Sequence, residues 1–78
     1  MGDRLDEHLG RQLLRRRRAL GLTQDQVAHA IGVRFQQIQK YECGASRMSP
    51  SRLVALASAL DVDISYFFEG LEQDRTPK

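Results

Sequence analysis

The chain has 78 residues, 41% of them hydrophobic and 28% charged, with a single cysteine and a net charge of +2. That is enough for one small domain. Cys43 with only His8 and His29 besides offers neither an internal disulfide nor a zinc-ligand spacing, and no apolar run is long enough to span a bilayer. The start lacks the apolar segment of a signal peptide, so a cytoplasmic protein without cofactor or metal is expected. The small net charge hides a segregation: Asp3, Asp6 and Glu7 outweigh Arg4 in the first ten residues. Residues 11–60 then set nine cations against Asp25 and Glu42, and residues 61–78 are acidic again. A cationic middle rich in arginine suits a polyanion, because the guanidinium fork matches phosphate.

Periodicity predicts an all-α chain. In the first helix Leu9, Leu13 and Leu20 lie within about 40° of one another at 100° per residue, defining an inward stripe closed by Gly21. Thr23 and Gln26 form a capping-box pattern for a second helix that runs to Ala30 or Ile31, and Gly32 stops it. A third helix is expected over about 34–42, ending before Gly44. Ser49 caps and Pro50 opens a fourth, with Leu53, Leu56, Ala57 and Leu60 at helical spacing. Asp63 caps a short fifth, with Ile64, Phe67 and Phe68 inward. The expected division is an acidic segment over 1–8, a folded domain over 9–71 and a flexible polar tail over 72–78.

The informative feature is the pair of short helices, Gln24 to Ile31 and Arg34 to Glu42, jointed at a glycine. Ala28 is small where the two must approach, and Val27, Ile31, Val33, Ile38 and Tyr41 supply apolar contacts in the order a helix-turn-helix needs. The stretch LTQDQVAHAIGVRFQQIQKYECG closely resembles the Cro/repressor-type, or XRE, family of helix-turn-helix regulators, and the likeness extends from about Leu13 to Phe68. The resemblance implies a compact five-helix, lambda-repressor-like domain. It also implies homodimeric binding to palindromic double-stranded DNA operators, with the second motif helix in the major groove.

The facing of that helix follows from its own sequence. At about 100° per residue, Ile38, Tyr41 and Glu42 share an inward arc, which turns Gln36, Gln39 and Lys40 outward and leaves Phe35 and Gln37 on the flanks. Glutamine pairs with adenine and lysine donates to guanine, so Gln36, Gln39 and Lys40 are candidate base contacts. Phe35 suits a thymine methyl or the edge of the core equally well. Arg47, in the loop after the third helix, fits a phosphate or minor-groove contact and plain solvation equally well. Arg11, Arg15 and Arg18 lie opposite the leucine stripe; Arg16 and Arg17 both flank it, and periodicity does not rank them.

The resemblance selects Arg17, matched to the family's arginine that pairs with a glutamate at the end of the recognition helix, here Glu42. It also implies a role for Arg17 in aiming at phosphate, and gives Gln24 a backbone phosphate contact and a brace on Gln36. Two departures stand out. Arg34 replaces the usual Ser or Thr cap and adds a cation near the backbone instead. Cys43 stands where a polar residue commonly reaches phosphate, and is expected as a buried or half-exposed inert thiol. Tyr66, Phe67 or Leu71 are candidates to meet a second copy. The expected function is transcriptional regulation, with RNA polymerase or another protein as a further partner. The alternative is an antitoxin-like or adaptor module, and no set of residues suggests an enzyme.

Overall fold

A computed structural model describes residues 3–71. It contains four α-helices, α1 (Arg4–Ala19), α2 (Gln24–Ile31), α3 (Phe35–Glu42) and α4 (Pro50–Ala59), followed by a 3-10 turn over Ile64–Phe68. The fifth predicted helix is thus a single 3-10 element. The tail predicted to be flexible, 72–78, lies outside the described residues.

The helix starts are set by side-chain caps, as the sequence predicts. Thr23 Oγ1 accepts the Gln26 backbone N–H at 3.0 Å while the Thr23 N–H donates to Gln26 Oε1 at 2.8 Å. Ser49 Oγ accepts from the Arg52 N–H, and Pro50 takes the first turn of α4. Arg34 stands at the start of α3 with no side-chain cap bond.

The start of α1 differs from expectation. Asp3 caps it and shares a reciprocal box with Asp6, so the helix begins at Arg4 and takes in the segment set apart as acidic. Acidic residues in its first turn and Arg16, Arg17 and Arg18 in its last both suit the helix dipole.

The Asp6 backbone N–H bonded to Asp3 holds that carboxyl below its ordinary range, and the Ser65 side chain and backbone do the same for Asp63. A carboxyl depressed by folding contributes stability above its unfolded-state value and loses it as pH falls through the folded one. Asp63→Asn should therefore give a flatter plot of melting temperature against pH below about pH 4 than the unaltered chain.

Between α2 and α3, Gly32 adopts φ 76° and ψ 33°. Its N–H bonds the His29 carbonyl, and the Val33 N–H reaches back to Ala28. This left-handed stop, which favours glycine, turns the chain within a few residues and sets the two motif helices against each other. The same pair of backbone bonds ends α4, where Asp61 takes the left-handed position at φ 57°.

The core joins Leu9 and Leu13 of α1, Val27 and Ala28 of α2, Ile38 and Tyr41 of α3, Leu53, Leu56 and Ala57 of α4, Leu60 and Phe67. Met48 closes it from the loop, and Ile31 and Val33 pack partly buried against it. Three residues expected inward, Leu20, Ile64 and Phe68, are exposed. Leu20 is exposed, because α1 ends at Ala19 and the helical period does not carry through its cap. Phe68 and Ile64 are exposed as well, and only Phe67 of that trio is fully buried. A 3-10 turn advances about 120° per residue, which rotates Phe68 a third of a turn away from Phe67. The polar side of α1 also enters the interior: Asp6, His8 and Gln12 are buried, and Gln12 Nε2 donates to the Tyr66 carbonyl at 2.8 Å.

Candidate nucleic-acid interface

The outer face of α3 carries Gln36, Gln39 and Lys40, all exposed, while Ile38 and Tyr41 face the core and Gln37 is half-buried. This is the facing derived from periodicity. Phe35, at the start of α3, is 41% exposed. A shallow groove runs beside this face. Arg34, Lys40, Arg47 and Arg52 line it together with Gln36, Gln37 and Tyr41, and its lining contains no carboxylate.

The one acid on α3, Glu42, is drawn inward. Its Oε2 accepts from Arg17 Nε at 2.6 Å and its Oε1 from Arg17 Nη2 at 3.1 Å, a two-pronged pair with side chains 7% and 12% exposed. Arg17 Nη1 also donates to the Leu22 carbonyl at 2.9 Å. Gln24 Nε2 donates to Glu42 Oε1 at 2.8 Å, so its amide braces Glu42 and not Gln36. Three elements are therefore pinned at one carboxylate: α1 through Arg17, α2 through Gln24 and α3 through Glu42 itself. Neutralising Glu42 inside this cluster also removes a charge that would oppose a polyanion at the end of α3.

Arg16 follows a different course from its neighbour. Its Nε and Nη2 donate to the Leu60 and Asp61 carbonyls, tying α1 to the end of α4. Periodicity left Arg16 and Arg17 unranked because both flank the core stripe. The distinction lies in their tertiary partners.

Arg47 sits in the loop between α3 and α4. Its Nη2 stands 3.0 Å from Asp3 Oδ2 and its Nε 3.4 Å from Asp6 Oδ1, and these carboxylates hold its proton more firmly, Asp6 foremost. Arg52, not among the residues that the motif singles out, donates from Nε to the Tyr41 hydroxyl at 3.2 Å and so stands at the groove wall. Its signal was available in part: an arginine in the first turn of the helix that follows the loop. Its partner, across eleven residues of chain, was not. Cys43, expected buried or half-exposed, is exposed just past the last residue of α3, its Sγ 3.5 Å from the Lys40 carbonyl.

Comparisons with known proteins agree with this geometry. The helix-turn-helix family model HTH_3 matches residues 13–67. A protein of Rhodospirillum rubrum, described as an uncharacterised transcriptional regulator in the ATPase CF(0) region, is 54% identical over 69 residues, which cover 88% of this chain and 64% of that one. An uncharacterised HTH-type transcriptional regulator of Rickettsia conorii is 45% identical over 75 residues, covering 96% and 60%. The chain thus spans somewhat under two thirds of the length of these relatives. Among solved structures, the restriction-modification controller protein C.AhdI from Aeromonas hydrophila superposes with a TM-score of 0.78 at 28% identity, over 81% of this chain and 91% of that one. A glycine-jointed helix pair with an amide-rich outer face, matched by the family model over most of its length, places this chain in the XRE-type helix-turn-helix (HTH_3) family.

Proposed function

We propose that this domain binds duplex DNA with sequence preference, laying α3 in the major groove, and that it regulates transcription in the cytoplasm as a homodimer on a palindromic operator. The observation that carries the reading is the outer face of α3, where Gln36, Gln39 and Lys40 stand free of the core beside a groove of four cations. Amide and ammonium groups are the donors and acceptors that base edges recognise, and Phe35, exposed at the helix start, suits a thymine methyl. Arg34 and Arg47 supply phosphate contacts at the flanks, and we add Arg52 to them. Gln24 can offer its second amide hydrogen to a phosphate while the first stays on Glu42. For Arg17 the geometry favours bracing, since its Nε, Nη1 and Nη2 all donate within the protein.

The dimer is supported by apolar side chains left uncovered on adjoining elements. Val54 on α4 is 58% exposed, and Ile64 and Phe68 of the 3-10 turn that follows α4 in the chain are 38% and 37% exposed. These join the half-buried Tyr66 and Leu71, and replace the fully buried Phe67, as candidates to meet a second copy. Two recognition helices about 34 Å apart would read successive major grooves on one face of the duplex. Bound at a promoter, such a dimer occludes or recruits RNA polymerase. The α3 face, with its exposed amides, favours this reading over an antitoxin-like or adaptor role.

Selection of bound duplexes from a random pool at two salt concentrations tests specificity and electrostatics together. An enriched palindrome whose binding weakens steeply with salt is expected. Within the enriched site, Gln36→Ala should cost about 1–3 kcal/mol at one base position and relax preference there, whereas Arg52→Ala should weaken all duplexes alike. A pool returned without enrichment, or Gln36→Ala with unchanged base preference, would remove α3 from the major groove.

A further inference from the structure

The acidic start of the chain returns to the edge of the groove beside α3. Asp3 uses its two carboxylate oxygens differently: Oδ1 accepts the Asp6 N–H at 2.9 Å and caps α1, while Oδ2 reaches Arg47 Nη2 at 3.0 Å. Asp6, its side chain 5% exposed, accepts from Arg47 Nε at 3.4 Å. The carboxylates thus occupy the Nε and Nη2 edge of the guanidinium, the edge that takes a phosphate in a two-pronged bond. Yet Arg47 remains 72% exposed and lines the same groove as Lys40 and Arg52.

We propose that Asp3 is an intramolecular competitor of the DNA backbone, holding Arg47 in the free protein and setting the affinity of the groove for phosphate. The inference rests on the reading of this face as DNA-binding. The two acids divide the work by their exposure. Asp6 is buried and fixed, whereas the Asp3 carboxylate is more than half exposed and is the one a phosphate can displace. An incoming backbone gains Arg47 only by giving up the Asp3 contact, and then lies against a carboxylate of its own sign. Because a phosphate contact carries no base information, the effect falls on total affinity and leaves base preference untouched. The sequence segregates charge in the same sense: an acidic start folds back onto a cationic middle.

The test uses Asp3→Asn, which removes the charge and keeps a capping oxygen, since asparagine and aspartate cap helices about equally well. Asp3→Ser, another capping substitution, guards against an effect peculiar to the amide. Binding of the full chain to short duplexes of random sequence is measured across a salt series, with each variant checked by thermal melting. Both variants are expected to bind about two- to five-fold tighter than the unaltered chain at low salt. Their plots of log affinity against log salt should steepen by up to about 0.9, the share of one additional phosphate contact. Both gains should vanish in an Arg47→Ala background. An equal gain with and without Arg47 would mark a general field effect and overturn the proposal. Unchanged binding would overturn it as well, and weaker binding would show that Asp3 positions Arg47 for DNA instead. If the unaltered chain binds no duplex even at low salt, the DNA-binding reading itself falls and the competitor role falls with it.

Discussion

Glu42→Ala is expected to cost about 3–5 kcal/mol of folding stability, the usual loss when one member of a buried ion pair is removed. The guanidinium of Arg17 would keep its bond to the Leu22 carbonyl but lose both bonds to carboxylate, at a side chain only 12% exposed. Gln24 would lose its acceptor at the same time. Domains of this size are stable by only about 5–15 kcal/mol, so the loss is a large fraction of the whole. A urea melt should show the midpoint falling with the slope unchanged, as for a loss of stability without a change in the unfolded state. Replacing both partners, as in Arg17→Met with Glu42→Leu, should recover much of that stability, because two apolar groups need no hydrogen bonds. DNA binding should not recover with it, since the same carboxylate aligns α2 and α3. A loss below about 1 kcal/mol for Glu42→Ala would mean that the pair behaves as an exposed one.

The legible parts of this fold are those written in local chemistry. Thr23 with Gln26, and Ser49 with Pro50, announce helix starts through side chains that reach only a few residues. Gly32 marks the turn because few other residues take its backbone angles without strain. The facing of α3 was legible too, since its apolar residues Ile38 and Tyr41 lie within one helix and leave the amides a single way to point. What failed to show was either chemistry at an unfamiliar position or contact across long stretches of chain. Asp3 and Asp6 form a capping box with an aspartate where a longer acid or amide is usual, and they read as simple acidity. Leu20 lies one residue past the helix whose period would turn it inward. The partners of Arg47 and Arg52 lie 44 and 11 residues away, beyond the reach of any periodicity. The Arg17–Glu42 pair was found only through resemblance, because the charges on α1 do not by themselves select between Arg16 and Arg17.

Gly10 is the clearest case of a residue whose importance has no local sign, and Gly10→Ala is expected to destabilise the domain although it replaces glycine within a helix. A Cβ there would press on the Tyr41 carbonyl oxygen and lie 2.8 Å from the Glu42 carbonyl oxygen. Both are backbone atoms at the end of α3, so no rotamer change relieves the contact and α1 must move off α3. Gly10 and Arg17 are seven residues apart and share one face of α1; the first lets the Glu42 backbone approach, and the second then takes its carboxylate. Overpacking of this kind typically costs about 1–3 kcal/mol, occasionally more. The intrinsic helix preference of alanine returns up to about 1 kcal/mol. The steric cost prevails because the obstructing atoms belong to the main chain of a second helix, and Gly10→Val should be worse still. For a domain of this length each kcal/mol shifts the melting temperature by about 4–8 °C, a change that thermal denaturation resolves. The two sites should also couple: in a Glu42→Ala background the helices are already released, and Gly10→Ala should cost less than in the intact chain. Full additivity of the two losses would separate the close approach from the ion pair, and a melting temperature for Gly10→Ala at or above that of the unaltered chain would show that α1 gives way without cost.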